Sequence, residues 1–279
     1  MSKLNLDYLF KDKETTDSTA LSDYNTLDIV SNNHHIYGEI LWPDGEYSAP
    51  RPCVIMLHGF PGSARNDDVA HALCRIGCVV MVPHHRGAWG SEGKYLISNC
   101  IEDAKNLVAH AGSSEFCSKY NVDPNMIILL GHSMGANTAL NAGKHIPNLR
   151  GIILIAPFDP TRYLYTGKED ALLSLLKEGK VLQSDGEESI FRDIELHKEQ
   201  MSFVKSFEQV MYKNILCLAG LYDSCAPISE MVQPLWDKLS GHTTDAVQEL
   251  KIYPAEHGLL GRRISVITDI ANFLAKICI

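Results

Sequence analysis

The chain has 279 residues, of which 45% are hydrophobic, and its 34 acidic residues outnumber 25 basic ones for a formal net charge of −9. This length accommodates one large α/β domain, and the hydrophobic fraction can fill a sizeable core. The acidic balance and the lack of a basic cluster argue against a nucleic-acid partner or an anionic membrane surface.

The N-terminal residues 1–17 contain no apolar stretch of signal-peptide length and no small-residue cleavage site. The longest apolar runs reach about eight residues, which is too short to span a bilayer. Several of the eight cysteines, such as Cys53, Cys78 and Cys217, lie inside apolar runs, where a thiol behaves as a small buried hydrophobe. We therefore expect a cytoplasmic protein with reduced thiols.

A metal site is poorly supported by the histidines. His34–His35 and His84–His85 are adjacent pairs, and neighbours on a strand point to opposite faces. No HExxH or similar ligand spacing is present. We expect neither a metal ion nor a cofactor.

In chain order, the first predicted elements are two strands within residues 26–41, separated by a Ser-Asn-Asn turn. Short continuous apolar runs follow, and such runs are typical of parallel strands buried on both faces. The runs cover residues 53–59, 78–83, 126–131, 151–157 and 215–220, with 249–254 as the last strand.

Helical patterns lie between these runs. One ends at Gly77, a second begins with Asn99 as the predicted cap and Glu102 three residues later, and another covers residues 267–277. The alternation of strands and helices predicts an α/β fold with one doubly wound, mostly parallel sheet, in a single domain over residues 1–279.

One connection is too long for a single crossover helix. It covers residues 158–213, here called the insertion. Its patterns predict one helix over 169–180, with Thr166 and Glu169 forming a capping box, and a longer helix over 193–213. In an enzyme such a segment forms a lid or cap over the site, since long insertions in compact domains are usually functional. The alternative is a helical excursion without a function.

Ser133 lies at the centre of a Gly-x-Ser-x-Gly sequence, residues 131–135. The motif alone is weak evidence, but a buried strand leads into it and a helical pattern follows it directly. A strained strand-to-helix turn leaves no space for side chains at Gly131 and Gly135, and it makes the serine project. The context predicts a nucleophile, and the alternative is a turn serine.

A serine hydroxyl needs a base, and the base needs an orienting acid. After a turn of this kind the acid comes next along the chain and the histidine last. Asp223 follows the strand at 215–220, and His257 follows the last strand, so both lie at carboxyl ends of strands, where open α/β sheets build their sites. Asp159 and Glu256 are the alternative acids.

An oxyanion hole requires two backbone N–H donors. The N–H of Met134, the residue after the serine, is one candidate. The N–H of Phe60, in the loop that follows the strand at 53–59, is the other.

These motifs together resemble those of the α/β-hydrolase superfamily over nearly the whole chain. The similarity rests on His-Gly at 58–59, Gly-His-Ser-Met-Gly at 131–135, Asp-x-x-x-Pro at 223–227 and the late His257. Residues 84–95 also resemble a glycine-rich loop of the prolyl oligopeptidase-like and dienelactone hydrolase-like branch, which includes small serine esterases with a helical lid. The resemblance implies the α/β-hydrolase fold and hydrolysis of an acyl bond through an acyl-enzyme.

The predictions for substrate contacts are less constrained. Trp89 either lines the acyl pocket or fills space under its loop. Met201 and Phe207 of the insertion are predicted to supply an apolar wall. Arg86 is interpreted as a structural ion-pair partner, because its guanidinium suits buried anchoring.

Three functions stay open. The first is a carboxylesterase-like serine hydrolase acting on a small acyl or aryl ester. The second is an amino- or oligopeptidase, which needs a carboxylate such as Glu187 to bind the substrate amine. The third is a non-catalytic α/β-hydrolase-fold binding protein. The expected partner is a small-molecule ester, and the acyl group, the alcohol and the oligomeric state stay open.

Overall fold

The computed structural model describes residues 4–14, 18–47 and 49–278. These residues contain eight strands, which are β1 (Asp23–Ser31), β2 (His34–Trp42), β3 (Arg51–Leu57), β4 (Val79–Pro83), β5 (Val122–His132), β6 (Gly151–Ile155), β7 (Ile215–Gly220) and β8 (Gln248–Tyr253). The strands form one sheet in the order β1-β2-β4-β3-β5-β6-β7-β8. Non-consecutive neighbours in this order require crossover connections, as in a doubly wound sheet.

The first two strands form the antiparallel part of the sheet. They pair as a hairpin in which Ser31 lies opposite His34. Asn32 and Asn33 form its turn with φ values of 48° and 63°, a left-handed conformation that asparagine tolerates. β2 also pairs antiparallel with β4, whereas β3 to β8 pair in parallel. The predicted mostly parallel α/β sheet is therefore confirmed.

The described residues also contain twelve α-helices. They are α1 (Asp67–Arg75), α2 (Ile97–Ala111), α3 (Ser114–Tyr120), α4 (Met134–Gly143), α5 (Thr161–Tyr165), α6 (Glu169–Leu176), α7 (Glu187–Leu196), α8 (Lys198–Met201), α9 (Phe207–Val210), α10 (Ile228–Met231), α11 (Gln233–Ser240) and α12 (Arg263–Ile277). None of the helices in these ranges has the length and apolar character that a bilayer crossing requires.

The core has two layers because successive strand residues point to opposite faces. On β3, Ile55 and Leu57 belong to the apolar cluster that includes α2 and α4. Val54 and Met56 belong to the cluster that includes α1 and α12. All four side chains are buried, and each such residue stabilises the fold by about 1.5–3 kcal/mol.

The predicted Asn99 cap of α2 is wrong. The helix begins two residues earlier, at Ile97, and its N-cap residue Leu96 makes no side-chain cap. The side-chain amide of Asn99 instead donates to the carbonyl of Lys94, at 2.9 Å. The preceding loop therefore uses the polar group that was expected to cap the helix.

The helices of the insertion also differ from the prediction. α6 begins at Glu169, but Thr166 does not cap it, because its hydroxyl donates to the carbonyl of Arg162 in α5. The helix expected over 193–213 is divided into α7, α8, a 3₁₀ turn at Val204–Ser206 and α9.

Buried polar side chains explain why that helix is broken. The side-chain amides of Asn137 and Asn141 both donate to the carbonyl of Met201, at 3.0 and 2.9 Å. The carboxylate of Asp159 accepts the N–H of Phe203, at 2.9 Å. A continuous helix would use this carbonyl and this N–H for its own hydrogen bonds, so contacts with the core replace them.

Candidate active site

Ser133 lies in a sharp turn between β5 and α4, here called the nucleophile turn (residues 131–135). Its backbone has φ 57° and ψ −122°, which is unusual for a residue with a side chain. A Cβ atom at Gly131 would overlap the backbone of Gly135, and one at Gly135 would overlap the carbonyl oxygen of Leu57. Only glycine therefore fits at these two positions, as the sequence predicts.

The structure brings Ser133, His257 and Asp223 together. Nε2 of His257 lies 2.9 Å from Oγ of Ser133, and Nδ1 of His257 lies 2.7 Å from Oδ2 of Asp223. The other carboxylate oxygen of Asp223 accepts the N–H groups of Cys225 and Ala226, at 2.9 and 2.7 Å. The fixed carboxylate favours the proton of His257 on Nδ1, which leaves Nε2 free to accept the serine proton.

This carboxylate also sets the basicity of the imidazole. Burial lowers the pKa of His257, but its hydrogen bonds with Asp223 and Cys225 outweigh burial and raise that pKa to about 9. Burial alone would raise the pKa of Asp223, yet His257 and the N–H of Ala226 hold that pKa below the ordinary carboxyl value. Asp223 therefore stabilises the imidazolium that forms when the serine loses its proton.

The two alternative acids have other partners. Asp159 is buried and accepts hydrogen bonds from Thr161 and from the N–H of Phe203. Glu256 accepts the N–H groups of Gly258 and Leu260. Both carboxylates therefore stabilise loops, whereas Asp223 is the acid bonded to the imidazole.

His132 lies beside the triad without joining it. Its ring centroid is 5.3 Å from that of His257. Burial and the neighbouring His257 lower the pKa of His132 to about 4, so its imidazole stays neutral at ordinary pH. His132 is therefore a packed, neutral histidine beside the triad.

The oxyanion loop (residues 58–62) runs beside the nucleophile turn. A Cβ at Gly59 would lie 3.0 Å from Cβ of Ser133, which measures how closely the loop approaches. Within the ranges that the structure describes, the N–H groups of Phe60 and Met134 donate to no protein acceptor. Two amides next to a projecting serine are thus available to an oxyanion.

Two histidines hold the oxyanion loop. The N–H of His85 donates to Nε2 of His58, at 3.0 Å, and Nε2 of His85 donates to the carbonyl of His58, at 3.1 Å. Nδ1 of His58 then donates to the carbonyl of Gly59, at 2.8 Å. The carbonyl of Gly59 and the N–H of Phe60 belong to one planar trans peptide, so anchoring the carbonyl also sets the direction of the N–H.

Sequence reasoning missed this histidine pair. His58 was recognised only as part of the His-Gly motif, and His85 only as an unsuitable metal ligand. Both side chains are buried, and burial lowers the pKa of His85 to about 4 and holds the pKa of His58 well below its usual range. The available signal was that each histidine lies within two residues of the end of an apolar strand, at the edge where the site forms.

Trp89 lies at the edge of the oxyanion loop. Its indole N–H donates to the carbonyl of Pro61, at 3.0 Å, and its side chain is about half exposed. The rest of its loop is anchored by Arg86, whose guanidinium forms an ion pair with the buried Asp103. Trp89 therefore borders the site, and the ion pair expected for Arg86 is confirmed.

The structure does not bring Met201 and Phe207 to the triad. Met201 is buried and lines a cavity of about 380 Å³ on the flank of α4. The ring of Phe207 contacts His242, which in turn contacts Tyr212. His242 and Tyr212 shortly precede β8 and β7, so this cluster lies at the amino edge of the sheet, opposite the catalytic edge.

The chain is similar to known proteins over most of its length. Residues 48–199, more than half of the chain, match the family described as serine aminopeptidase, S33. The match includes the oxyanion loop and Ser133, whereas Asp223 and His257 lie beyond it. A comparison with curated protein sequences finds no match.

Several solved structures share the fold. An esterase of Pyrococcus furiosus is similar with a TM-score of 0.66 and 18% identity over 92% of each chain. Brefeldin A esterase, a bacterial homologue of human hormone sensitive lipase, is similar with a TM-score of 0.68 and 14% identity over 97% of this chain and 81% of its own. Dipeptidyl peptidase 4 of Porphyromonas gingivalis has a TM-score of 0.66 and 18% identity, over 92% of this chain but 36% of its own. At these identities the likeness concerns the fold alone, and the family match identifies the chain as a member of the serine aminopeptidase S33 family, within the α/β-hydrolase superfamily.

Proposed function

We propose that the protein is a serine hydrolase that cleaves small carboxylic esters through an acyl-enzyme. The observation that carries this proposal is the continuous hydrogen-bonded chain from Ser133 through His257 to Asp223. A nucleophile, a base and an orienting acid in this geometry are the components of acyl transfer by serine.

In the first half of the reaction, Oγ of Ser133 attacks the ester carbonyl while Nε2 of His257 takes its proton. Asp223 stabilises the imidazolium, and the N–H groups of Phe60 and Met134 hold the developing oxyanion. His257 then donates its proton to the leaving alcohol, and the acyl group stays on Ser133.

In the second half, His257 takes a proton from water, and the resulting hydroxide attacks the acyl-enzyme. The same two amides hold the second oxyanion. Ser133 leaves with the proton from His257, and the carboxylic acid is released. These steps need only water and the side chains and amides named.

The surroundings of the triad favour an uncharged, partly apolar substrate. The N–H of Phe158 donates to the carbonyl of Ser133, at 3.2 Å, and its ring packs 5.6 Å from that of Tyr163 on α5. Trp89 is half exposed at the oxyanion loop. Its aromatic ring suits a small acyl or aryl group. Because Phe158 and Tyr163 begin the insertion, we also propose that residues 158–213 cover the site as a lid.

An aminopeptidase is the second candidate, because the matched family carries that description. Binding a substrate's free amine requires a carboxylate near the nucleophile. Glu230, shortly after Asp223, is bonded through both oxygens to Lys168, and Glu256 is bonded to backbone amides. Glu187 lies in the first turn of α7, where a carboxylate complements the helix N-terminus. Because these carboxylates already make other interactions, we favour an ester substrate over a peptide substrate.

Hydrolysis of p-nitrophenyl esters from acetate to decanoate, measured beside alanine p-nitroanilide, tests the proposal. We expect ester turnover in the wild type and a fall of several orders of magnitude in Ser133→Ala. A surface variant such as Ser240→Ala, remote from the triad, serves as the control for differences between protein preparations.

The possible outcomes separate the candidates. Faster turnover of the anilide than of any ester would identify the aminopeptidase. Equal activity in Ser133→Ala and the wild type would remove Ser133 as the nucleophile. An intact protein that hydrolyses neither substrate and is not labelled by a serine-directed phosphonate would be a binding protein.

A further inference from the structure

The side chain of Phe60 connects the oxyanion loop to the insertion. Its ring centroid lies 5.7 Å from that of Tyr95, which is buried at the end of the glycine-rich loop. A Cβ at Gly179 would lie 2.6 Å from Cζ and 3.0 Å from Cε2 of Phe60. The aromatic ring therefore rests directly on the backbone of the insertion, and a side chain at position 179 would require the ring to shift.

The segment that receives this ring is here called the insertion turn (residues 177–185). It begins with the 3₁₀ turn Lys177–Val181. The N–H of Gln183 donates to the carbonyl of Gly87, and the N–H of Tyr95 donates to the carbonyl of Gln183, both at 2.7 Å. These bonds join the insertion turn to the glycine-rich loop, so Gly179 and Tyr95 form one fixed surface.

Phe60 is thereby held at two points. The preceding peptide is anchored by His58 through the carbonyl of Gly59, at 2.8 Å. The ring is held by Gly179 and Tyr95. A displacement of the ring that its side-chain torsions do not absorb moves the Cα of Phe60, and the N–H bonded next to that Cα moves with it. An oxyanion donor requires a position within a few tenths of an ångström, since hydrogen bonds weaken outside about 2.7–3.1 Å.

We propose that the insertion turn is a structural part of the oxyanion hole, with Gly179 as the positioning residue for the N–H of Phe60. The proposal rests on the proposed esterase function. It assigns the insertion a role in the transition state, beyond covering the substrate. Changes in the insertion turn then alter kcat before they alter substrate binding.

Gly179→Ala tests this role. We expect kcat for the best p-nitrophenyl ester to fall about tenfold with KM nearly unchanged, a smaller effect than the roughly 10²–10³-fold loss on removing an oxyanion donor. Affinity for a trifluoromethyl ketone, whose adduct with Ser133 carries the oxyanion, should fall by a similar factor. Gly112→Ala is the matched control, because its φ is −87° and the added Cβ meets only ordinary contacts of 3.4 Å or more.

Phe60→Leu supplies the second test, since it removes the ring atoms near Gly179 and retains the backbone N–H. We expect Phe60→Leu alone to lower kcat severalfold by loosening the loop, and we expect Gly179→Ala to add little in the Phe60→Leu background. If Gly179→Ala alone does not fold, the double variant should still fold, because it lacks the Phe60 ring atoms that the added Cβ would overlap. Equal effects of Gly179→Ala in both backgrounds, or a loss confined to KM, would overturn the proposal.

The Ser133→Ala experiment keeps the two proposals apart. If Ser133→Ala is inactive while Gly179→Ala behaves like Gly112→Ala, the esterase stands and the positioning role fails. If Ser133→Ala keeps full activity, the proposed function itself fails.

Discussion

The nucleophile turn and the oxyanion loop lie side by side, but different forces hold them. Backbone packing fixes the turn, where Gly131 and Gly135 leave no space for a Cβ. Side chains fix the loop, through hydrogen bonds of His58 and His85 and through packing of the Phe60 ring against Tyr95. Substitutions in the turn should therefore act on the fold as a whole, whereas substitutions around the loop should act on the rate in graded steps.

The largest effect should follow from Gly135→Ala. Its Cβ would overlap the carbonyl oxygens of Leu57 and His58, which belong to the end of β3 and the loop after it. Backbone of a central strand cannot give way, so we expect a loss of at least about 3 kcal/mol in the free energy of unfolding and no measurable esterase activity. Thermal denaturation and soluble yield measure this, with Gly112→Ala as the control. A Gly135→Ala protein with the wild-type melting temperature would show that packing does not fix the turn.

The next largest effect is the dependence of activity on pH, which should come from the triad and not from the histidines of the oxyanion loop. The pKa of His257 is about 9, whereas that of His85 is about 4. His257 accepts the serine proton only when neutral, so kcat/KM should rise with pH through the pKa of His257. Activity should fall tenfold per pH unit below it, giving about 100-fold between the plateau and pH 7. The loop histidines stay neutral in this range, so we expect no second ionisation between pH 5 and 9.

A pH series of kcat/KM, with Ser133→Ala as the blank for spontaneous hydrolysis, provides the measurement. Asp223→Asn should shift the acid limb toward the ordinary imidazole pKa, because the carboxylate raises the pKa of His257. An acid limb at or below pH 6 in the wild type contradicts this assignment.

Substitution of His58 should reveal the graded behaviour of the loop. Asn places an amide donor near the position of Nδ1, whereas Gln places its amide near Nε2. If the bond to the carbonyl of Gly59 directs the N–H of Phe60, His58→Gln should have a kcat about tenfold below that of His58→Asn, with similar KM values. Equal kcat values in the two variants would mean that this hydrogen bond does not set the oxyanion donor.

The smallest effect belongs to Trp89→Phe. This change removes the hydrogen bond to the carbonyl of Pro61 but keeps an aromatic ring. An exposed neutral hydrogen bond contributes about 0.5–1.5 kcal/mol, so we expect kcat to fall no more than about tenfold. Steady-state kinetics beside Trp236→Phe, on the remote helix α11, provides the comparison. A loss larger than that of His58→Gln would make Trp89 the main support of the loop.

The sequence was sufficient to predict the parts of the molecule that follow local rules. Apolar runs located the parallel strands, and the glycines around Ser133 located the turn. Asp223 and His257 were selected because strand ends meet at one edge of the sheet, and the structure brings both to the serine. The role of these residues in catalysis stays a prediction.

The parts that sequence reasoning missed depend on contacts between distant residues. The helix expected over 193–213 ends early because Asn141 and Asp159 bind its backbone from 60 and 44 positions away. Likewise, nothing in the local pattern connects Phe60 with Gly179. Helical periodicity carries no information about such tertiary hydrogen bonds, so it could not show which apolar side chains of the insertion face the core.

The strand order has a consequence for how activity is acquired. Ser133 and His257 are 124 positions apart, and they meet only when β6, β7 and β8 have been added to the sheet beyond β5. Chains dominated by such non-local pairings fold slowly, because the entropy cost of closing the loops comes before the contacts that compensate for it. Hydrolysis should therefore return late during refolding from denaturant, after helical circular dichroism and the burial of the N-terminal strands. The time at which hydrolysis returns would then report when the last strand docks on the sheet.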